Sequence, residues 1–276
     1  MPCLLYFRRV KNLLLPIDYL VYQLKAKGPQ GIHSPFVFEL YNKVIAGSAM
    51  YYEFIPIEHL RERLLHTKET IEVTDFGAGG KSTGITQTRK VKHIARKSAI
   101  PAKEGRLLFR LVNFMQPRNI IEMGTSLGIS TLYQYKACPD AKLITMEGSR
   151  GTSTFAGINF KILQADTIRR VVGDFAETLP EVIKNLSFVD YVFFDGNHRK
   201  EATIEYFHQF LPFASENAVF VFDDIRWSQG MKEAWEEIIK EPKATVTVDL
   251  FSIGLVFLNR AQKKQDFVLR YYTPFS

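Results

Sequence analysis

After about residue 100, the hydrophobic pattern of the chain changes to short apolar runs separated by segments with helical spacing. Five of these runs are four to six residues long, which is typical of buried strands. They predict strands at residues 119–123, 142–146, 169–172, 189–194 and 218–222, with two closing strands at 244–249 and 251–258. Strands that alternate with helices predict a doubly wound α/β sheet, here of seven strands.

The first part of the chain, residues 1–66, has a helical pattern instead. Its apolar residues recur at intervals of three and four, with a break at Pro16 and a loop at residues 27–31. Ser34 followed by Pro35 is typical of a helix start with a serine N-cap. A segment of this length cannot bury a core of its own, so we expect a helical cap docked on the rest of the chain. Alternatively, its amphipathic start lies on a membrane surface.

The next segment, residues 67–104, is rich in glycine and basic residues. Gly80-Lys81-Ser82 resembles the end of a phosphate-binding loop, but the first glycine of that motif would fall at Asp75. The residues at 85–97 make no sustained apolar face. We therefore predict a flexible basic surface loop at residues 75–103, with an anion-binding role for its successive glycine N–H groups as the alternative.

The amino-acid composition and net charge indicate which classes of protein are compatible with this chain. The chain has 276 residues, of which 46% are hydrophobic, so a large core is expected. Only Cys3 and Cys138 are present, without metal-binding spacing, which favours a reducing, cytoplasmic location. No apolar run has the length that a transmembrane helix needs, so no such segment is predicted. The net charge of +7 suits an anionic substrate or nucleic acid, and equally an ordinary basic surface.

The strand at 119–123 leads into a turn with two glycines and then into a helix. Glu122 lies near the end of the strand, and Gly124 and Gly128 bound the turn. Glycines let a ligand approach the backbone, and a helix start offers N–H groups and a favourable dipole. The turn therefore indicates a nucleotide-like ligand. It lacks the third glycine of the dinucleotide fingerprint, which counts against NAD.

Acidic residues follow the other predicted strands. Ligands of doubly wound sheets bind beyond the carboxyl ends of the strands, so we expect these acids to line one crevice. Glu147, about 20 residues beyond the turn, is placed to bind ribose hydroxyls. An exposed acid at a strand end is the simpler interpretation of Glu147, and a helix N-cap is the simpler one of Asp174. The set comprises Glu147, Asp174, Asp195 and Asp223.

The run RNIIEMGTSLGISTL, residues 118–132, resembles motif I of class I S-adenosylmethionine (SAM) methyltransferases, and most of all the catechol and caffeoyl-CoA O-methyltransferase branch. The run VVGDFAETLP, residues 171–180, resembles the segment that holds adenine in those enzymes. The resemblance implies a Rossmann-like SAM-binding methyltransferase domain over residues 105–276. It also implies the cofactor-binding residues Glu122, Gly124, Thr125, Ser126, Gly128, Ser130, Glu147, Asp174, Phe175 and Asp195.

The same resemblance implies a metal site and a catalytic base. In the catechol and caffeoyl-CoA families, acids after the fourth and fifth strands hold Mg²⁺, which predicts a site made of Asp195, Asp223 and Asp224. Asp224 stands where those families have Asn, and His198 stands where the caffeoyl-CoA type has its basic Lys. We predict His198 as the general base, with Asp195 beside it. Without a metal, Asp195 would contact the SAM methionine end or the substrate, and Asp223 would cap a loop.

Three functions are compatible with these observations. The first is SAM-dependent O-methylation of a small-molecule hydroxyl. The second is methylation of RNA or protein, which the basic charge suggests but no appended RNA-binding module supports. The third is a non-catalytic protein that binds SAM, NAD or another nucleoside. The acids at Asp195 and Asp223 count against a passive binder, and a homodimer is compatible with all three.

Overall fold

The computed structural model describes residues 15–75, 85–259 and 261–271. These residues form two compact units, one from Met1–Gly47 with Ser187–Ser276 and one from Ser48–Leu186. The sequence-based division placed its boundaries at residues 66 and 104, and the helical cap and the methyltransferase domain stay predictions. No helix within the described ranges combines the length and apolarity that crossing a bilayer requires.

The first unit begins with helix α1, Leu15–Lys25, whose inner face is held by aromatic contacts and hydrogen bonds. The Tyr22 hydroxyl is buried, donates to the Leu269 carbonyl at 2.6 Å and accepts from the Tyr271 N–H at 3.1 Å. The Tyr22 ring lies 5.3 Å from that of Phe251. Burial raises the pKa of Tyr22 well above its ordinary value. Helix α1 is thereby fixed to the segment 269–271.

A turn at Pro29–Gly31 then leads into helix α2, Pro35–Leu40. Ser34 is the N-cap of α2, because its hydroxyl accepts from the Val37 N–H at 3.4 Å, and Pro35 occupies the first turn. This helix start is confirmed as predicted. The segment Tyr41–Ile45 continues as a π-helical turn.

Five strands of the first unit lie side by side in the order β10-β8-β9-β7-β6. The pairs β6/β7 and β8/β10 are parallel, whereas β9 is antiparallel to both of its neighbours. Strand β10 was not among the predicted strands. The elements of this region are β6 Val189–Phe194, α9 Lys200–Phe210, β7 Ala214–Phe222, α10 Gln229–Ile238, β8 Val246–Asp249, β9 Gly254–Phe257 and β10 Gln265–Val268.

The second unit contains the parallel strands β3, β4 and β5, in that order. All three match their predicted positions to within one residue. Helix α7 was not predicted. The elements of this unit are α3 Phe54–His66, β1 Thr70–Asp75, β2 Ile85–Lys90, α4 Val91–Ser98, α5 Ala102–Met115, β3 Asn119–Met123, α6 Ile129–Ala137, β4 Lys142–Glu147, α7 Arg150–Ile162, β5 Arg169–Val172 and α8 Phe175–Lys184.

The prediction of an α/β fold with strands and helices in alternation is confirmed. The first unit contributes five strands and the second contributes the three parallel strands β3, β4 and β5, which makes eight among the described residues against seven predicted. The additional strand is β10, which has only four residues and pairs with β8 at the sheet edge.

The prediction of a loop at residues 75–103 is wrong over much of that stretch. Strands β1 and β2 form an antiparallel hairpin, and α4 follows directly. The β-branched residues of β1 and β2 favour strands. Helix α4 needs little apolar surface, since Val91 and Ala95, four residues apart, are its buried residues. The glycine-rich residues 76–84, with their proposed anion-binding role, lie outside the described residues.

The hairpin packs closely against the start of α7. A Cβ atom on Gly151 would lie 2.0 Å from the Glu72 carbonyl oxygen, a distance that no side chain tolerates. The Thr74 N–H also donates to the Ser149 hydroxyl at 3.2 Å. Glycine at position 151 is therefore required for this contact.

We predict that Gly151→Ala displaces the hairpin and lowers the free energy of unfolding by about 1–3 kcal/mol, because the added methyl group overlaps backbone. Amide hydrogen exchange should accelerate in β1 and β2. Gly230→Ala is the matched control, because Gly230 is also the second residue of its helix. A Cβ atom on Gly230 would lie 3.6 Å from its nearest neighbour, so the added methyl group fits there. Unchanged protection of the hairpin in Gly151→Ala would refute the packing argument.

Candidate active site

The turn between β3 and α6 is held in a conformation that requires glycine. Gly124 and Gly128 have φ angles of 116° and 84°. The N–H groups of Gly124 and Thr125 both donate to the Met146 carbonyl, at 3.0 and 3.1 Å. A Cβ atom on Gly128 would lie 2.4 Å from the Phe160 ring. The end of β4 and the side of α7 therefore both hold the turn in place.

Glu122 lies beneath the turn and is fully buried. Its carboxyl group accepts hydrogen bonds from the hydroxyls of Thr131 and Thr145 and from the Gln134 amide, the last two at 2.6 and 2.8 Å. Burial raises the pKa of Glu122 to about 7. Both carboxyl oxygens accept hydrogen bonds from protein groups, so in this structure Glu122 stabilises the strand and the helix that the turn connects. Its predicted contact with a cofactor stays a prediction.

Two other predicted binding residues belong to this buried network. The Thr125 hydroxyl lies 2.6 Å from the Thr145 hydroxyl. The buried Ser130 side chain hydrogen-bonds Glu122. These hydroxyls therefore connect the turn to β4 and α6.

Glu147 ends β4 and faces the turn from the next strand. Its carboxylate accepts from the N–H groups of Ser126 and Ser149, each at 2.9 Å. Burial raises the pKa of Glu147, while the backbone hydrogen bonds oppose that shift. Ser126 has a φ angle of 47°, and its buried hydroxyl oxygen has no hydrogen-bond partner among the described residues. The structure thus brings Ser126 and Glu147 into contact, and their predicted binding of a cofactor stays a prediction.

Asp174 is the N-cap of α8, as the simpler interpretation held. Its carboxylate accepts from the Ala176 N–H at 2.8 Å. The preceding residue, Gly173, donates its N–H to the Glu147 carbonyl at 3.0 Å, which places this helix start beside the end of β4. Phe175 is half-buried next to the cap. The adenine contact of Asp174 and Phe175 stays a prediction.

A second group of predicted residues lies in the first unit, after β6 and β7. The Nε2 atom of His198 is 4.0 Å from an Asp195 oxygen and 3.9 Å from an Asp224 oxygen. These three side chains are 16–25% exposed, so solvent or a ligand reaches them. The His198 ring lies 5.7 Å from the ring of Trp227. The strand ends therefore bring His198 close to both Asp195 and Asp224, and the catalytic and metal-binding roles of these residues stay predictions.

Strained backbone and a largely buried ion pair hold the loops that carry Asp195, His198 and Asp224. Asn197 and Asp224 have positive φ angles of 53° and 55°, which are uncommon outside glycine and often mark functional sites. Arg226 makes a bidentate ion pair with Asp249 at 2.8 and 2.6 Å and donates to the Phe251 carbonyl. The ion pair therefore anchors the segment that follows Asp224.

Asn197 was not predicted as a site residue. Its amide donates to the Tyr206 hydroxyl at 3.1 Å, and its side-chain oxygen accepts from Arg199 at 2.9 Å. These bonds hold the loop that carries His198. The only sequence signal was the type of residue, because Asn adopts positive φ more readily than most side chains do.

The donor types fit Mg²⁺, which prefers carboxylate oxygens. In the described part of the chain, however, no group of three or more His, Cys, Asp and Glu side chains is arranged to hold a metal ion. His198, which provides a positive charge when protonated, lies within ion-pair distance of Asp195 and Asp224. Asp223 is 9% exposed and donates its N–H to the Phe194 carbonyl at 2.9 Å. The described side chains therefore do not form a ready-made magnesium site.

Comparison with known proteins agrees with this geometry. Residues 121–225 match the family model of a methyltransferase domain, and this span contains the turn and both groups of acids. A catechol O-methyltransferase from Mycobacterium tuberculosis is 30% identical over 129 residues, which are 46% of this chain and 57% of that protein. The chain thus spans little more than half the length of this relative.

Solved structures with the same fold include O-methyltransferases. The enzyme TomG from Streptomyces achromogenes, solved with SAM, is 23% identical over 58% of this chain and 82% of its own, with a TM-score of 0.52. An O-methyltransferase from Bacillus cereus, solved with S-adenosylhomocysteine, is 17% identical over 76% and 92%, with a TM-score of 0.53. The resemblance predicted from residues 118–132 and the Rossmann-like fold are confirmed.

We predict that Glu122 makes stability depend on pH. Its pKa is about 7 in the folded chain against 4.5 for an ordinary Glu, so the folded state binds more protons between these values. The free energy of unfolding should therefore fall by up to roughly 3 kcal/mol as pH rises through this window. In urea unfolding, the Glu122→Gln variant should lack this pH-dependent part of the free energy of unfolding. The control variant Glu236→Gln, which changes an exposed acid, should keep it. Equal pH slopes in Glu122→Gln and the unmodified protein would contradict this assignment.

Proposed function

We propose that this chain is a SAM-dependent methyltransferase that acts on a hydroxyl group of a small molecule. The observation that carries the proposal is the approach of the Glu147 carboxylate to the glycine turn, where it accepts the Ser126 N–H at 2.9 Å. A carboxylate beside a strand–turn–helix junction can bind ribose hydroxyls while the turn accommodates the rest of a nucleoside. The methyltransferase-domain match over residues 121–225 supports the same ligand.

The turn contains a hydroxyl group and backbone groups that a bound SAM molecule would contact. The Ser126 hydroxyl is buried and lacks a partner in the described structure, and a buried polar atom of this kind costs free energy until a ligand or water bonds it. Gly124 and Gly128 leave the backbone open to close approach. We assign ribose binding to Glu147 and backbone contacts to the turn, with Asp174 and Phe175 beside the adenine.

Methyl transfer requires an acceptor oxygen aligned with the methyl carbon of the sulfonium. The oxygen forms a bond to that carbon while the carbon–sulfur bond breaks, and S-adenosylhomocysteine leaves with the electron pair. The acceptor must also lose its proton. We assign proton removal to Nε2 of His198, because Asp195 and Asp224 lie 4.0 and 3.9 Å away and would stabilise the imidazolium that forms.

Mg²⁺ is the alternative that the resemblance implies. Asp195, Asp223 and Asp224 would hold it, and the ion would lower the pKa of the acceptor hydroxyl.

A small-molecule acceptor is favoured over RNA or protein, because the catechol O-methyltransferase similarity covers 129 residues. A homodimer and a cytoplasmic location stay predictions.

We expect calorimetry with S-adenosylhomocysteine to show that Glu147→Gln weakens binding by about tenfold or more. Losing a charged hydrogen bond to a ribose hydroxyl costs about 1.5–3 kcal/mol. The control Glu181→Gln changes an exposed acid on α8 and should bind normally. Thermal unfolding without ligand verifies that both variants fold. Unchanged affinity in Glu147→Gln would exclude this ribose contact.

For catalysis, we expect His198→Gln to reduce turnover by about 10²–10⁴-fold, because it removes the general base. The readout is S-adenosylhomocysteine release with a panel of catechols and phenols. His208→Gln is the matched control, since His208 is 52% exposed on α9 and pairs with Glu241. Turnover should persist in EDTA. If EDTA abolishes turnover and Mg²⁺ restores it, the metal mechanism replaces this one.

A further inference from the structure

One segment of the second unit carries nearly all of the net charge of the chain. Residues 86–103 hold six of the 36 Lys and Arg residues and none of the 29 Asp and Glu residues. They therefore account for six of the seven net positive charges, and the rest of the chain is nearly balanced, with 30 basic and 29 acidic residues. The proposed function uses no residue of this segment.

Strand β2 presents its side chains to solvent. It pairs with β1 in a two-stranded sheet, and residues 86–90 are all exposed. Arg89 and Lys90 end the strand. Two exposed acids belong to the partner side of the hairpin, Glu69 just before β1 and Glu72 within it. They offset only part of the six positive charges.

Helix α4 continues the positive charge directly after β2. Its buried residues are Val91 and Ala95, so one side of the helix packs inward. The other side carries His93, Arg96 and Lys97, which are exposed and separated by intervals of three and four residues. The strand end and the helix together form what we call the cationic surface. It comprises Arg89, Lys90, Lys92, Arg96 and Lys97.

This segment offers no aromatic or apolar anchor to a partner. Residues 86–103 contain no Phe, Tyr or Trp. Val91 and Ile100 are buried, and Ile94 is half-buried. Binding in a membrane interface requires exposed apolar side chains, and binding of single-stranded nucleic acid uses aromatic rings on which the bases stack. The attraction that remains is electrostatic, and it suits a partner with closely spaced negative charges.

We propose that the cationic surface binds the phosphate backbone of a nucleic-acid duplex. A DNA duplex carries one negative charge per roughly 1.7 Å of its axis, and the eight residues of α4 span about 12 Å, so several phosphates fit along the helix. Arg binds phosphate through paired N–H groups, and Lys binds it as a point charge. The proposal concerns binding and leaves the methyl acceptor as proposed above.

Phosphate contacts fix the position of a protein on a duplex but read no base sequence. The phosphates are common to RNA and DNA, so we expect the cationic surface to bind duplexes of both kinds with similar affinity.

A small anion or an acidic peptide fits this surface less well. One phosphate or carboxylate group is neutralised by one or two cations, whereas the cationic surface has five on two elements. A peptide added to a strand edge gains specificity from pockets for its alternate side chains. The exposed side chains of residues 86–90 are Thr, Gln, Thr, Arg and Lys, which are long or polar and do not form apolar pockets.

The test is fluorescence anisotropy of the full chain with labelled RNA and DNA duplexes of equal length and sequence. We expect both to bind, with an affinity that falls steeply as salt rises. The double variant Lys90→Gln/Lys97→Gln should weaken binding by about tenfold or more. It should also reduce the slope of log affinity against log salt by about two, because each lost phosphate contact removes about one. Both side chains are exposed, so folding should be unaffected.

The matched control is Lys161→Gln/Lys184→Gln, which removes two positive charges from exposed positions on α7 and α8. It should bind duplexes like the unmodified chain. Both double variants should also bind S-adenosylhomocysteine normally in calorimetry. Loss of duplex binding is thereby separated from misfolding and from any failure of the proposed cofactor site.

Equal weakening in both double variants would show a general charge effect and overturn the proposal. It would also be overturned if the unmodified chain bound neither duplex at about 50 mM salt, or if one duplex bound tenfold or more tighter than the other, since phosphates alone do not discriminate. Binding of labelled poly-glutamate without binding of either duplex would assign the cationic surface to an acidic protein segment instead.

Discussion

The buried carboxyl group of Glu122 is the interaction on which the candidate cofactor site depends. It connects β3 to Thr145 on β4 and to Thr131 and Gln134 on α6, so it fixes the strand and the helix that the glycine turn joins. Because the turn also hydrogen-bonds the end of β4, the same strand that carries Glu147, the distance between turn and carboxylate follows from this network. A buried acid of raised pKa is tolerated here because its hydrogen bonds offset part of the cost of burial.

In the first unit, the side chains of Asp195, His198 and Asp224 are positioned in a different way from the Glu122 network. Backbone conformation and one ion pair take the place of a buried network, since Asn197 and Asp224 both adopt positive φ. The Arg226–Asp249 pair, 14% and 10% exposed, holds the segment after β7 against the loop before β9. Strain of this kind persists only where surrounding contacts enforce it. The arrangement of His198 between two carboxylates therefore depends on contacts made well away from the imidazole.

Much of the α/β region was predictable, because a buried strand needs little more than a short apolar run. Strands β3, β5 and β6 have the bounds that their apolar runs predicted, and the glycine turn was identified from Gly124 and Gly128. The hairpin of β1 and β2 was missed because its outer residues are polar and its stability comes from packing against Gly151. Strand β10 was missed because four residues are a weak signal without the partner strand β8.

The sequence by itself determined the α/β class, the strand–turn–helix junction, the capped starts of α2 and α8, and the candidate acids at strand ends. These features depend on local spacing, on backbone restrictions at glycine and proline, and on caps a few residues away. Only the tertiary structure decided that Glu122 is enclosed by protein donors and that His198 lies between Asp195 and Asp224. It also decided that Arg226 makes an ion pair with Asp249. The contacts of Glu122 with Thr145, of His198 with Asp224 and of Arg226 with Asp249 join residues more than twenty positions apart. Distances between such segments are set by sheet register and packing, which no local pattern encodes.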